Sequence, residues 1–179
     1  MNKQATSLKY GLLAGIIMSI LLLLIYFVSK EKLASMLLLL IYLPLLFLMI
    51  WGGITVRKER GGFGSFGDAF LAVFIISLTA TFIFDTFGYV LYKVIDPGLT
   101  AFIKEKSIEN TTAIMEKFGA PEEQIEQATK KMEDQDFTLT IKSELMHYAG
   151  QIAVGAILSL LIALFVRRGD EQPVIKAEG

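Results

Sequence analysis

No cysteine occurs anywhere in the chain, and histidine occurs once, as His147. The first absence removes disulfides, thiolate nucleophiles and cysteine metal sites together, and says nothing of redox compartment, because a cysteine-free chain tolerates either. The second leaves a histidine-based metal site without partners, so neither a metal nor a cofactor is expected. There is no G-x-S-x-G nucleophile turn and no H-E-x-x-H zinc helix, which puts an enzyme last among the readings. Charge is also missing, but only locally: Asp, Glu, Lys and Arg make up 20% of the chain, yet three long apolar runs contain none of them.

Those runs are residues 10–28, 33–56 and 148–166; a fourth, 69–92, is broken once, by Asp85. An α-helix rises 1.5 Å per residue, so about 20 apolar residues cross a hydrocarbon core about 30 Å thick. The runs hold 19 to 24 residues each, and the expected fold is an all-α integral membrane protein of four transmembrane helices forming one domain over residues 1–179. Lys3 and Lys9 ahead of the first run give it the charge order of a signal peptide. The run is too long for one, and Tyr26-Phe27-Val28 stands where a small-x-small cleavage site is needed, so a retained first helix is expected.

Lys and Arg in short loops and tails orient such a chain. Lys3, Lys9, Arg57, Lys58, Arg60, Arg167, Arg168 and Lys176 fall on one side, and only Lys30 and Lys32, with Glu31 between them, fall on the other. Both termini are therefore expected in the cytoplasm, in an inner (cytoplasmic) membrane. The cluster Arg57, Lys58 and Arg60, with Arg167 and Arg168, would meet lipid headgroups. Trp51 and Tyr26 suit the interfacial aromatic belts.

Residues 93–144 are then extracytoplasmic, with seven Lys, eleven acids and a local net charge of −4. Asp96-Pro97-Gly98 ends the third span. Leu99, Phe102 and Ile103 open an apolar stripe continued by Met115 and Phe118, with the poor helix formers Asn110, Thr111 and Thr112 interrupting it. Gly119 and Pro121 mark a stop and a new start. The run from Pro121 to Met132 reads as a short amphipathic helix with Ile125, Ala128 and Met132 on one edge. Its apolar side would rest on the membrane, on the bundle or on a partner. Phe137 to Ile141 alternates like a strand without a mate and is expected to lead into the last helix.

Small residues one turn apart, Gly11, Gly15 and Ser19 in the first span and Gly155, Ser159 and Ala163 in the last, let backbones approach closely. Packing within the bundle is the expected use, ahead of dimerisation. Pro44 in the second run should kink its helix. Gly62 to Gly67 spells G-x-G-x-x-G, but the preceding element is a membrane helix rather than a β-strand, so a dinucleotide site is excluded. Ser65 instead caps the third helix, with Asp68 as capping-box acid.

Asp85 is the one charge inside a span. Ser77, Thr81, Tyr89 and Tyr92 share its helix face, and His147 and Gln151 stand at the outer end of the last span as its candidate partners. A carboxylate at mid-bilayer costs at least about 2.5 kcal/mol, which makes an intramembrane acid a candidate site. Expected partners are membrane lipids, another membrane or envelope protein, or a second copy of this chain; nucleic acid is not among them. The leading functional reading is a structural or interaction protein whose outer segment contacts an envelope component. The alternative is an oligomeric small-solute or proton pathway using Asp85.

Lys9-Tyr10-Gly11 with Gly15, the Gly61 to Phe70 turn, Tyr92 followed by Asp96-Pro97-Gly98, and Ala120-Pro121-Glu122-Glu123-Gln124-Ile125-Glu126-Gln127-Ala128 occur in an order that resembles the bacterial membrane family labelled domain of unknown function 4199. The resemblance implies four helices with a charged insert before the last span and a bacterial inner-membrane setting. It carries over no catalytic residue.

Overall fold

The computed structural model describes residues 4–62, 65–134 and 140–167, and every regular element among them is helical. The principal helices are α1 (Ala5–Val28), α2 (Leu43–Glu59), α3 (Phe66–Val90), α4 (Leu99–Lys117), α5 (Glu122–Glu133) and α6 (Ile141–Arg167). Four stretches are long and apolar enough to cross a membrane: Ala5–Val28, Leu38–Glu59, Phe66–Ile95 and Leu145–Arg167. Large apolar side chains such as Leu12, Ile16, Phe47, Phe82 and Phe165 face outward, while Ala14, Ala69, Ala72, Ala80 and Ala163 lie in the interior beside Met18, Leu22, Met49 and Ile76. A bundle solvated by lipid is built this way, because close packing of small residues rather than expulsion of water holds its helices together.

Helix α3 is the hub: it packs against α1, α2 and α6, while α1 and α6 stand at opposite corners. A Cβ placed on Gly11 would lie 2.6 Å from the Thr79 Cβ, and one on Gly15 would lie 2.8 Å from the Ile83 Cβ, so α1 and α3 run parallel with backbones touching. On α6, Gly155 faces Ser77 in the same way, and Ser159 and Ala163 are fully buried. The small-residue stripes therefore serve packing inside the bundle.

Pro44 does not kink a continuous helix. The second run opens as two 3₁₀ segments, Lys30–Ala34 and Met36–Tyr42, and the α-helix proper begins at Leu43 with Pro44 in its first turn. A first-turn residue has no intrahelical acceptor for its N–H, so the missing donor costs nothing and the fixed φ favours initiation. At the start of α3, the Ser65 Oγ accepts from the Asp68 N–H at 3.1 Å and donates to the Asp68 carboxylate at 2.9 Å, which realises the cap.

The insert is a helical hairpin attached to one end of the bundle. Leu99 is buried in the same core cluster as Leu33 and Leu91, with Phe102 and Ile103 packed against that cluster. Helix α4 runs unbroken through Asn110, Thr111 and Thr112, contrary to expectation. The Asn110 amide donates to the Ala34 carbonyl at 3.3 Å and Thr112 meets the Thr129 hydroxyl at 3.4 Å, so two of these poor helix formers find partners outside their own turn. Gly119, at φ 70°, closes α4, with its own N–H and that of Ala120 bonded back to the Glu116 and Met115 carbonyls. Helix α5 then returns antiparallel to α4, and Ile125, Ala128, Thr129 and Met132 form its only partly covered edge. Phe137 to Leu139 lie outside the described residues; Thr140 caps α6 through its hydroxyl and the Ser143 N–H at 3.1 Å.

Candidate functional site

Helix α3 carries the polar face into the hairpin end of the bundle. Ser77 and Thr81 are buried, and the Thr81 hydroxyl donates to the Ser77 carbonyl of its own helix at 3.0 Å. One turn further out stands Asp85, whose side chain keeps 11% of its exposure. Past Val90 the helix widens into a π-turn, Leu91–Ile95, closed by the Asp96 N–H on the Leu91 carbonyl at 2.9 Å. The wider turn holds Tyr92 on the same side as Asp85 and Tyr89, and such turns recur at functional sites.

Helix α6 passes antiparallel to α3 and brings His147 and Gln151, one turn apart, to the level of Asp85. The His147 Nε2 lies 4.0 Å from the Asp85 Oδ1, at the outer limit of an ion pair and beyond a hydrogen bond. Helix α6 also runs parallel to the second span. The Gln151 Nε2 donates to the Tyr42 hydroxyl at 3.1 Å and lies 3.4 Å from the His147 Nε2. Tyr42, which sequence reasoning did not single out, thus joins the cluster from a third element, its ring edge-on to Phe84 at 5.9 Å.

These groups surround a cavity of about 300 Å³. Tyr42, Asp85, Tyr89, Tyr92 and His147 supply its polar wall, and Leu22, Leu38, Phe84 and Gly88 complete it. Of the expected stripe, Asp85, Tyr89 and Tyr92 line the cavity, whereas Ser77 and Thr81 are spent on helix packing. The interior beyond is closed by Ala14, Met18, Ile76 and Ala80, each 0% exposed. Among the described residues, no group of three His, Asp or Glu could hold a metal ion.

At the rim of the same end, the Lys30 ammonium meets the Asp96 carboxylate at 2.6 Å and sits 4.7 Å from the Tyr26 ring, while the Tyr26 hydroxyl donates to Asp96 at 3.1 Å. Tyr26 therefore takes a bonded position between loop and helix. The Lys30 bond holds the Asp96 carboxyl below its usual value, and the same bond pushes the Lys30 ammonium above its own. Lys106 is raised in the same sense, first by its bond to Glu109.

The basic cluster stands at the opposite end. The Arg57 guanidinium donates to the Val166 carbonyl at 2.9 Å, satisfying one of the orphan acceptors at the end of α6. Lys58 and Arg167 are exposed, Arg60 is half-buried, and Arg168 lies outside the described residues.

Four membrane-length apolar helices, packed over small residues and buried Leu, Ile, Met and Val, define a multi-pass membrane protein. The chain belongs to the family described as protein of unknown function (DUF4199), whose model matches residues 9–168. No curated protein and no solved structure matches it.

Proposed function

We propose that this is a bacterial inner-membrane protein that works by binding rather than by catalysis, with both termini in the cytoplasm and the α4–α5 hairpin outside. The orientation is supported by Lys9, Arg57, Lys58, Arg60 and Arg167 at the end that carries the termini. The hairpin acts as an arm that contacts another envelope component. The observation carrying this reading is that α4 is fixed to the bundle through Leu99 and Asn110, while α5 packs against α4 and keeps its charged faces in solvent. Deleting residues 103–134 with a short linker should leave four inserted spans and abolish in-membrane crosslinking to a specific neighbour. Identical crosslinking in the deleted protein would refute it.

A second reading is favoured by the cavity: a small-solute pathway beginning at Asp85. The closed interior beyond Thr81 means that such a pathway needs a second copy of the chain or a partner to complete it.

A further inference from the structure

We propose that the Asp85 cavity binds a small organic cation, an amine or quaternary ammonium; the proposal rests on the second reading above and supplies its ligand class. Three features of the wall select that chemistry. The first is sign: among the described residues Asp85 is the one acid in the lining and no Lys or Arg lines it, and an anion would face a largely desolvated carboxylate. The second is the wall itself. Tyr42, Phe84, Tyr89 and Tyr92 supply four aromatic rings around one acid, and ring faces attract a cation within about 6 Å of their centroids. The third is the shortage of hard ligands. One carboxylate and one imidazole do not satisfy a metal ion's coordination shell, whereas an alkylated ammonium needs only one counter-charge and apolar or aromatic surface.

The details of the cluster agree with this use. The Gln151 amide holds the Tyr42 hydroxyl at 3.1 Å, which fixes the orientation of that ring ahead of any ligand. His147, the one basic group among the described lining residues, stands 4.0 Å from Asp85 with a side chain that keeps 59% of its exposure. The volume of about 300 Å³ is at the small end for ligand pockets and suits a ligand of a few heavy atoms.

The full chain, purified and reconstituted in nanodiscs, is titrated calorimetrically with tetramethylammonium, with choline, and with dimethylbutanol, the uncharged carbon isostere of choline. Saturable binding of the cations is expected, with the isostere weaker by roughly tenfold or more. Asp85→Asn should weaken choline by roughly tenfold or more. Tyr92→Phe should leave it within about twofold because the ring face remains, and Tyr92→Leu should weaken it by roughly tenfold. The Tyr92 pair keeps the question open to a decision if Asp85→Asn does not fold. Equal binding of the isostere, no saturable binding of either ammonium, or loss in Tyr92→Phe equal to that in Tyr92→Leu would each overturn the proposal. Flux assays on the same protein separate the two ideas. Ammonium binding without flux removes the pathway and keeps the site, whereas flux of uncharged solutes without ammonium binding removes the site and keeps the pathway.

Discussion

At the end that carries the termini the helices pack closely over glycine, α1 and α3 backbone to backbone; at the hairpin end they stand apart around a cavity. The first is built of regular α-helix with Gly11, Gly15, Gly52, Gly53 and Gly155 at the contacts, and its buried Ser7 and Ser159 hydroxyls have no hydrogen-bond partner among the described residues. Serine is used there for its size. The hairpin end contains the 3₁₀ segments, the π-turn and Tyr42, Asp85, His147 and Gln151. Departures from regular helix thus coincide with the polar groups. In lipid that pairing has a cause, since irregular backbone at membrane depth is tolerated only where it is covered by protein or lines a cavity.

Filling the tight end should do the greatest damage. A Cβ on Gly15 meets the Ala80 carbonyl oxygen at 2.9 Å as well as Ile83, and neither backbone can retreat alone. Gly15→Val is expected to cost about 2–3 kcal/mol in reversible unfolding from mixed micelles. Gly150→Val, on the open side of α6 with nothing within 4 Å, should cost about 0.5 kcal/mol or less by the same assay. If the two variants melt alike, the contrast between the ends is false.

An intermediate effect is expected from polar latches. Arg57→Ala strips the Val166 carbonyl of its donor and should lower stability by about 1–2 kcal/mol, seen as faster amide exchange in the last turn of α6.

The smallest effect is that of pH on the rim tether. Asp96 has a folded pKa below its ordinary 3.8, so its contribution is complete above that value and is lost as pH falls through the depressed one. Lys30 is raised above 10.5, so its contribution is complete below 10.5 and fades as pH rises through the raised value. Between those limits, amide protection factors around Lys30, which remove the intrinsic pH dependence of exchange, should be flat with pH, then fall on the acid side. Asp96→Asn should exchange faster within the flat range and lose the acid step.

How much of this was legible in the chain depended on range. Run length alone gives the four spans, since apolar stretches of that size with at most one charge have few other homes. The Ser65 cap and the Gly119 stop are local, and both were readable. Pro44 was misread because mid-run position suggests a kink, whereas the chain before it is wound as 3₁₀ helix and the proline opens the α-helix. Asp85 and His147 were matched by depth. Tyr42 could not be, because a lone tyrosine in an apolar run gives no sign of the helix it will face. The missing information is the register of the second and last spans. Tyr42 with Gln151 and Arg57 with Val166 are both 109 residues apart, the mark of parallel helices in step.

That constant offset frees the segment between α3 and α6. The last helix finds its place from contacts at both of its ends, so the chain outside the bundle is a cassette that begins and finishes on one face. Its anchored base ends at Asn110 of α4; beyond it, a Cβ built on Gly119 at the bend meets nothing within 4 Å. A reporter or epitope spliced at that bend would alter the length of the cassette and leave the membrane-embedded register as it is.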